Sequence, residues 1–97
     1  MRIFSYRNDH SQRFANLELE NGDRVHVRVT TQEVKVMKLR FGQIPMGIIW
    51  AATGPKEMGH ISYTSMTTNI LDAIIEYLRA CNSAAEIKAK LPILVNG

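Results

Sequence analysis

The chain has 97 residues, 45% of them hydrophobic and 22% charged, with a formal net charge of +3 and a single cysteine. That length gives room for one domain, and that composition excludes a disordered, collagen-like or disulfide-stapled chain. The longest apolar stretch, residues 44–52, falls far short of the roughly 20 residues of a spanning helix, and residues 1–12 carry charges where a signal peptide has its apolar centre.

Residues 1–6 read as a short strand containing Ile3, Phe4 and Tyr6, and the polar residues 7–12 as a loop. Ala15, Leu17 and Leu19 then alternate with Asn16, Glu18 and Glu20. Beyond Asn21-Gly22-Asp23, Val25, Val27 and Val29 alternate with Arg24, His26 and Arg28. Two period-two runs around Asn-Gly predict a hairpin. A two-residue loop would set Leu19 against Arg24 and mix apolar with charged side chains on one face. A three-residue loop over 21–23 sets Leu19 against Val25 and Leu17 against Val27. It pairs Glu20 with Arg24, Glu18 with His26 and Asn16 with Arg28 on the other face. The longer loop, with a bulge, is the expectation.

Residues 33–41 carry Val34 and Val36 in one phase and Met37, Leu39 and Phe41 in the other, which predicts a strand bulged near Val36-Met37. The rival is a short helix opened by the capping-box spacing of Thr30 and Glu33 and ended by Gly42. Residues 47–52 read as a buried strand reached through 42–46, where Pro45 forbids continuous pairing. Residues 53–60 form a loop. Ser65, Thr67 and Thr68 offer N-caps to a helix over 69–81, with Ile70, Ile74, Tyr77, Leu78 and Cys81 on one face, widened by Leu71 and Ile75, and Asp72, Glu76 and Arg79 outside. Ser83 and Glu86 make a second capping box, opening a short helix that Pro92 closes. The tail Ile93-Leu94-Val95 suits an edge strand or a docking segment. The fold class is α+β: one domain over 1–97, an N-terminal antiparallel sheet of about five strands followed by two C-terminal helices packed on it.

Charge is unevenly spread. Residues 1–40 hold eight basic groups against five acidic ones, while residues 41–97 hold four of each. A positive potential there favours anionic partners, the bland alternative being a solvated basic surface. Cys81 continues the helical stripe and reads as a small buried hydrophobe; standing alone, it suits a reducing cytoplasm. His26, set against Glu18, is expected to have a raised pKa. Glu57 and His60 make a poor metal site, and residues 54–59 hint at an anion-binding turn without the Gly-Lys-Ser/Thr ending of a phosphate loop. With no paired carboxylates, triad or dinucleotide fingerprint, no enzyme, cofactor or metal is expected. Binding has better candidates. Arg24, His26 and Arg28 stand on the outward face of the hairpin, with Lys35, Lys38 and Arg40 on the next segment. Tyr63, with Tyr6, Phe41 and Trp50, supplies stacking surfaces. Thr67, Thr68 and Asn69 sit at a helix start, where free N–H groups attract phosphate, and Arg79 lies on that helix's outer side. Together these are the ingredients of a nucleotide pocket.

The opening Ile3-Phe4-Ser5-Tyr6-Arg7-Asn8, the hairpin over 14–29 around Asn21-Gly22-Asp23-Arg24 and the helical C-terminal third resemble in layout the small phage-encoded sponges of the anti-Thoeris type, which sequester cyclic-nucleotide signals of bacterial immunity. The likeness spans most of the chain in order and size and carries no binding residue over. It implies a non-catalytic homo-oligomer with ligand pockets between protomers, in the host cytoplasm. The expected function is therefore sequestration of an anionic, cyclic nucleotide signal. The alternative is a small protein-interaction or nucleic-acid-binding module, such as an inhibitor of a host complex or a transcriptional adaptor. Nucleic acid is the less favoured partner, and no membrane is expected.

Overall fold

Period-two burial runs through the first half of the chain: Ala15, Leu17 and Leu19, then Val25, Val27 and Val29, then Val34 and Val36 are all buried, with less buried residues between them. Alternation of this kind belongs to strands with one covered face. The computed structural model describes residues 1–30, 33–40, 44–53 and 67–96, with the backbone alone for 67–69 and 96. It contains β1 (Arg2–Asn8), β2 (Arg13–Glu18), β3 (Arg24–Val29), β4 (Glu33–Arg40) and β5 (Ile44–Thr53), then α1 (Thr67–Leu78) and α2 (Ala84–Asn96). The strands lie in the order β1-β2-β3-β4-β5, each antiparallel to the next. This is the expected α+β layout, a five-stranded sheet followed by two helices.

Both helices cover the same side of the sheet. Ile70, Leu71, Ile74, Ile75 and Leu78 of α1 and Ile87, Leu91 and Val95 of α2 join the strand valines in one core, α1 lying over β2 and β3 and α2 against β5. Their spacing of three and four residues puts each set on one helical face. Cys81 is 1% exposed in this core, as expected, and burial pushes its thiol up. Tyr6 reaches from β1 to α1, its hydroxyl donating to Asp72 Oδ1 at 2.5 Å.

The β2–β3 hairpin keeps the expected faces but not the expected register. Ala15 faces Val27, Asn16 faces His26, Leu17 faces Val25 and Glu18 faces Arg24, two residues away from the expected pairs. The loop does have three residues, but they are Glu20, Asn21 and Gly22. Leu19 N–H donates to Asp23 O at 2.8 Å and Gly22 N–H to Leu19 O at 3.0 Å. This is a turn followed by a left-handed residue. Gly22 adopts φ +92°, a conformation only glycine takes without strain. The loop must therefore end on Gly22, and Asp23 is released from it. Asp23 instead caps α2: its Oδ2 accepts Ala84 N–H at 2.9 Å, which holds the carboxyl below its usual range. Ser83 Oγ accepts Glu86 N–H at 3.1 Å, as the capping-box spacing predicts, and Glu86 Oε2 accepts Asn82 N–H at 2.7 Å.

Three further expectations are corrected. Residues 33–40 form the expected strand, but the bulge expected near Val36-Met37 is not in β4 itself: its pairing with β3 is unbroken from Val29↔Val34 to Val25↔Lys38. The irregularity at Val36-Met37 belongs to β5, where Val36↔Trp50 is followed by Met37↔Ile48 and Ile49 is the extra residue. The two apolar phases of β4 are thus the two faces of the sheet. β5 starts before Pro45 and is an edge strand with Ile44, Met46 and Ile48 exposed rather than a buried one; at an edge, the missing N–H of proline costs no ladder bond. Finally, α2 runs through Pro92 to Asn96 instead of stopping there, and no edge strand forms from the tail. Ile87, Leu91 and Val95 keep the helix on the core across the proline, and the hydrogen bond it forfeits points to Lys88, on the exposed side.

Candidate functional site

Because side chains alternate along a strand, the residues between the buried valines of β3 emerge on the side of the sheet opposite α1 and α2. Arg24, His26 and Arg28 stand there in a row. Arg24 faces Glu18, His26 faces Asn16 and Met37, and Arg28 faces Phe14 and Lys35. The shifted register decides the chemistry of each. Glu18 pairs with Arg24, Nε to Oε2 3.0 Å, and not with His26. Asn16 Oδ1 lies 2.7 Å from His26 Nδ1, while Asn16 Nδ2 donates to Ser5 Oγ at 2.7 Å. Asn16 thus bridges His26 on β3 and Ser5 on β1 across the open face. Burial, with Arg28 nearby, pushes the His26 pKa down. This overturns the expectation that Glu18 raises it.

Phe14 stacks on His26 with ring centroids 5.9 Å apart and planes 22° apart. Beside this pair lies a hollow of about 380 Å³ lined by His10, Ser11, Gln12, Arg13, Phe14, His26, Arg28, Val29 and Thr30. Among the described residues no carboxylate lines it. Asp9 holds its rim: the carboxylate accepts Ser11 N–H, Ser11 Oγ–H, Gln12 N–H and Arg7 Nε–H at 2.7–2.9 Å. Arg7 above all keeps that carboxyl far below the usual range. Arg7, Arg24, Lys35, Lys38, Arg79 and Lys90 all have carboxylate partners within 4 Å. Among the described residues no such partner meets Arg13 or Arg28, and the buried Nε of Arg13 has no acceptor.

A second hollow, of about 410 Å³, adjoins the first at His26 and is lined by Phe4, Asn16, Leu17, Arg24, Leu39 and Pro45 as well. The guanidinium of Arg24 lies 4.2 Å from the Phe4 ring centroid and that of Arg2 4.3 Å, both within cation–π range.

Of the expected binding residues, Arg24, His26 and Arg28 share this face. Arg40 is exposed at the end of β4, in the phase of Val34 and Val36 and so towards the helix side. Thr67, Thr68 and Asn69 form the first turn of α1, and Arg79, ion-paired with Glu76 at 3.0 Å, follows α1. These four belong to the layer on the other side of the sheet. Tyr63 and Phe41 lie outside the described residues, as do Glu57, His60 and the turn over 54–59. Tyr6 is bonded to Asp72 on the helix side and Trp50 packs against the core. Among the described residues the phenyl rings of the open face are instead Phe4 and Phe14. Phe14 was legible, two residues ahead of Asn16 in the outward phase. Phe4 was not, because it sits at an irregularity between Ile3 and Ser5. Among the described residues no three metal-ligating side chains gather, and no helix is long and apolar enough to cross a membrane. No protein-family model, curated protein or solved structure matches the chain.

Proposed function

We propose that the chain binds an anionic nucleotide signal on the face of its sheet opposite α1 and α2 and holds it without turning it over, as the resemblance to phage-encoded counter-defence sponges implies. One observation carries the reading: the hollow beside Phe14 and His26 has Arg28 in its wall, and among the described residues no carboxylate pairs with Arg28 and no acid lines the hollow. Unpaired guanidinium groups seek phosphate or carboxylate oxygens, a stacked aromatic pair receives a base, and the size lies in the usual range for small ligands. The non-catalytic part of the reading draws on Ser11 and Thr30, hydroxyls in the hollow, which donate to Asp9 and to Glu33 O rather than to a histidine. Exposed Ile44, Met46 and Ile48 on β5 support the homo-oligomer, and the lone buried thiol suits the host cytoplasm.

Calorimetric titration with mononucleotides, cyclic di- and trinucleotides and ADP-ribose derivatives tests the proposal. Saturable heat with at least one, weakened tenfold or more by Arg28→Ala, is the expected result. No heat with any of them overturns it. The second reading, a nucleic-acid-binding module, draws on the same open basic face, which resembles a stacking platform for single strands. It predicts affinity for a long oligonucleotide that falls steeply with salt. A protein-interaction module instead predicts a stoichiometric host protein retained through the β5 patch, lost in Ile48→Glu.

A further inference from the structure

We infer that the ligand is a dinucleotide, two bases joined through phosphate, with one base in each of the two adjoining hollows and His26 between them. This rests on the nucleotide reading above and narrows it. The hollows are nearly equal, about 380 and 410 Å³, and share His26 as a lining residue. Each has its own ring and its own guanidinium: Phe14 with Arg28 in one, Phe4 with Arg24 in the other. Single-strand binders place bases on aromatic faces at about one base per ring, so two rings on one face make two base positions. Arg24 and Arg28 each lie two residues from His26 along β3, about 7 Å to either side, and flank the place where a linking phosphate would lie.

Two cations cover the Phe4 ring, Arg24 from the wall of the second hollow and Arg2 from outside its lining, and the structure indicates which one yields. Arg24 is held by Glu18 at 3.0 Å, whereas Arg2 rests on Phe4 with no carboxylate partner among the described residues. A base stacking on Phe4 takes the place of Arg2 and leaves that guanidinium free for phosphate. The row also ends. Beyond Leu39 and Pro45 the same face turns apolar, with Ile48 56% exposed and no charged residue on β5. Beyond Arg28, Lys35 is already paired with Glu33 at 3.2 Å. A third nucleotide meets neither a ring nor a free cation among the described residues, which favours a two-base ligand over a long strand.

The test compares AMP, linear pApA, cyclic di-AMP and a ten-nucleotide oligoadenylate by calorimetry on the intact chain. One or both dinucleotides are expected to bind at least tenfold more tightly than AMP. Phe4→Ala, and the milder Phe4→Leu, are expected to bring the dinucleotide down to the level of AMP while leaving AMP unchanged in the Phe14 hollow. Equal affinity for AMP and both dinucleotides, or no effect of either Phe4 variant, overturns the inference and leaves the nucleotide reading standing. An oligoadenylate that binds tenfold more tightly per site than either dinucleotide overturns it in favour of a single-strand platform. No binding of any probe overturns the nucleotide reading itself.

Discussion

The two faces of one sheet are built from the same strands and do opposite things. On the helix side β3 contributes Val25, Val27 and Val29, all buried and all aliphatic. One residue out of phase it contributes Arg24, His26 and Arg28 to an open face with two hollows. Alternation lets the inner set carry stability while the outer set stays available for a ligand, because successive side chains never share an environment. The clearest way to break that comparison is to show that the outer residues hold the fold together, or that the inner ones can be spared. Leu17→Ala, at a fully buried position of β2, is expected to lose about 2–5 kcal/mol in urea denaturation, the range for a leucine truncated in a core. Arg28→Ala is expected to stay within about 0.5 kcal/mol of the parent in the same measurement, as exposed substitutions do. In ligand titration the order reverses. There Arg28→Ala is expected to cost about 1.5–3 kcal/mol, the usual contribution of a hydrogen bond to a charged group.

A smaller effect sharpens the contrast, because it lies where the two layers meet. Asp23 ends the β2–β3 turn and caps α2 through Ala84 N–H, and Lys38 Nζ lies 3.8 Å from its carboxylate. Asp23→Ala is expected to lower stability by about 1 kcal/mol, the typical worth of an N-cap, read from the denaturation midpoint. Asp23→Asn keeps an accepting oxygen and is expected to recover most of it. If both variants fall equally, the cap is not the reason.

These particulars also show what was legible in the chain and what was not. The alternation over 15–29 and the three-and-four spacing over 70–78 report burial directly, so the strands, the first helix and the outward row Arg24-His26-Arg28 could be read from residue order. The register could not, because a loop of 20–22 and a loop of 21–23 place the same residues on the same faces. Only the positive φ of Gly22 separates them, and the two-residue difference gave His26 to Asn16 and Glu18 to Arg24. The helix start at Thr67–Asn69 was expected to join the hairpin because both suit phosphate. The stripe Ile70, Ile74 and Leu78 has to cover the valines of β3, and that carries α1 to the opposite side. Local chemistry marks what a segment can bind; the apolar stripe decides which face it reaches. Pro92 teaches the same lesson, since packing by Leu91 and Val95 carries α2 past a residue that would end an isolated helix.

The smallest expected effect separates the two faces by pH. His26 is half-buried on the open face with Arg24 and Arg28 along its strand, Asn16 across from it, Glu18 one pair along and held by Arg24, Lys35 on β4, Arg2 on β1 and His10 at the rim. Its folded pKa lies below the ordinary 6.5, first through burial and then through Arg28. On acidification the unfolded chain therefore takes up its proton before the folded chain does. Stability from this group is complete above about pH 6.5 and declines as pH falls towards the lower folded value. The carboxyls of Asp23 and Glu86, also shifted down, act only at lower pH, below their ordinary values. A small drop in the urea midpoint between pH 7.5 and 5.5, absent in His26→Gln, is the expected result for the free protein. A bound phosphate has the opposite preference, because it favours the protonated imidazole. Through the same window ligand affinity is expected to rise as stability falls, with proton uptake visible as a buffer-dependent heat. A ligand whose affinity is flat from pH 7.5 to 5.5 does not place its phosphate against His26, and the open face then binds through its arginines and rings alone.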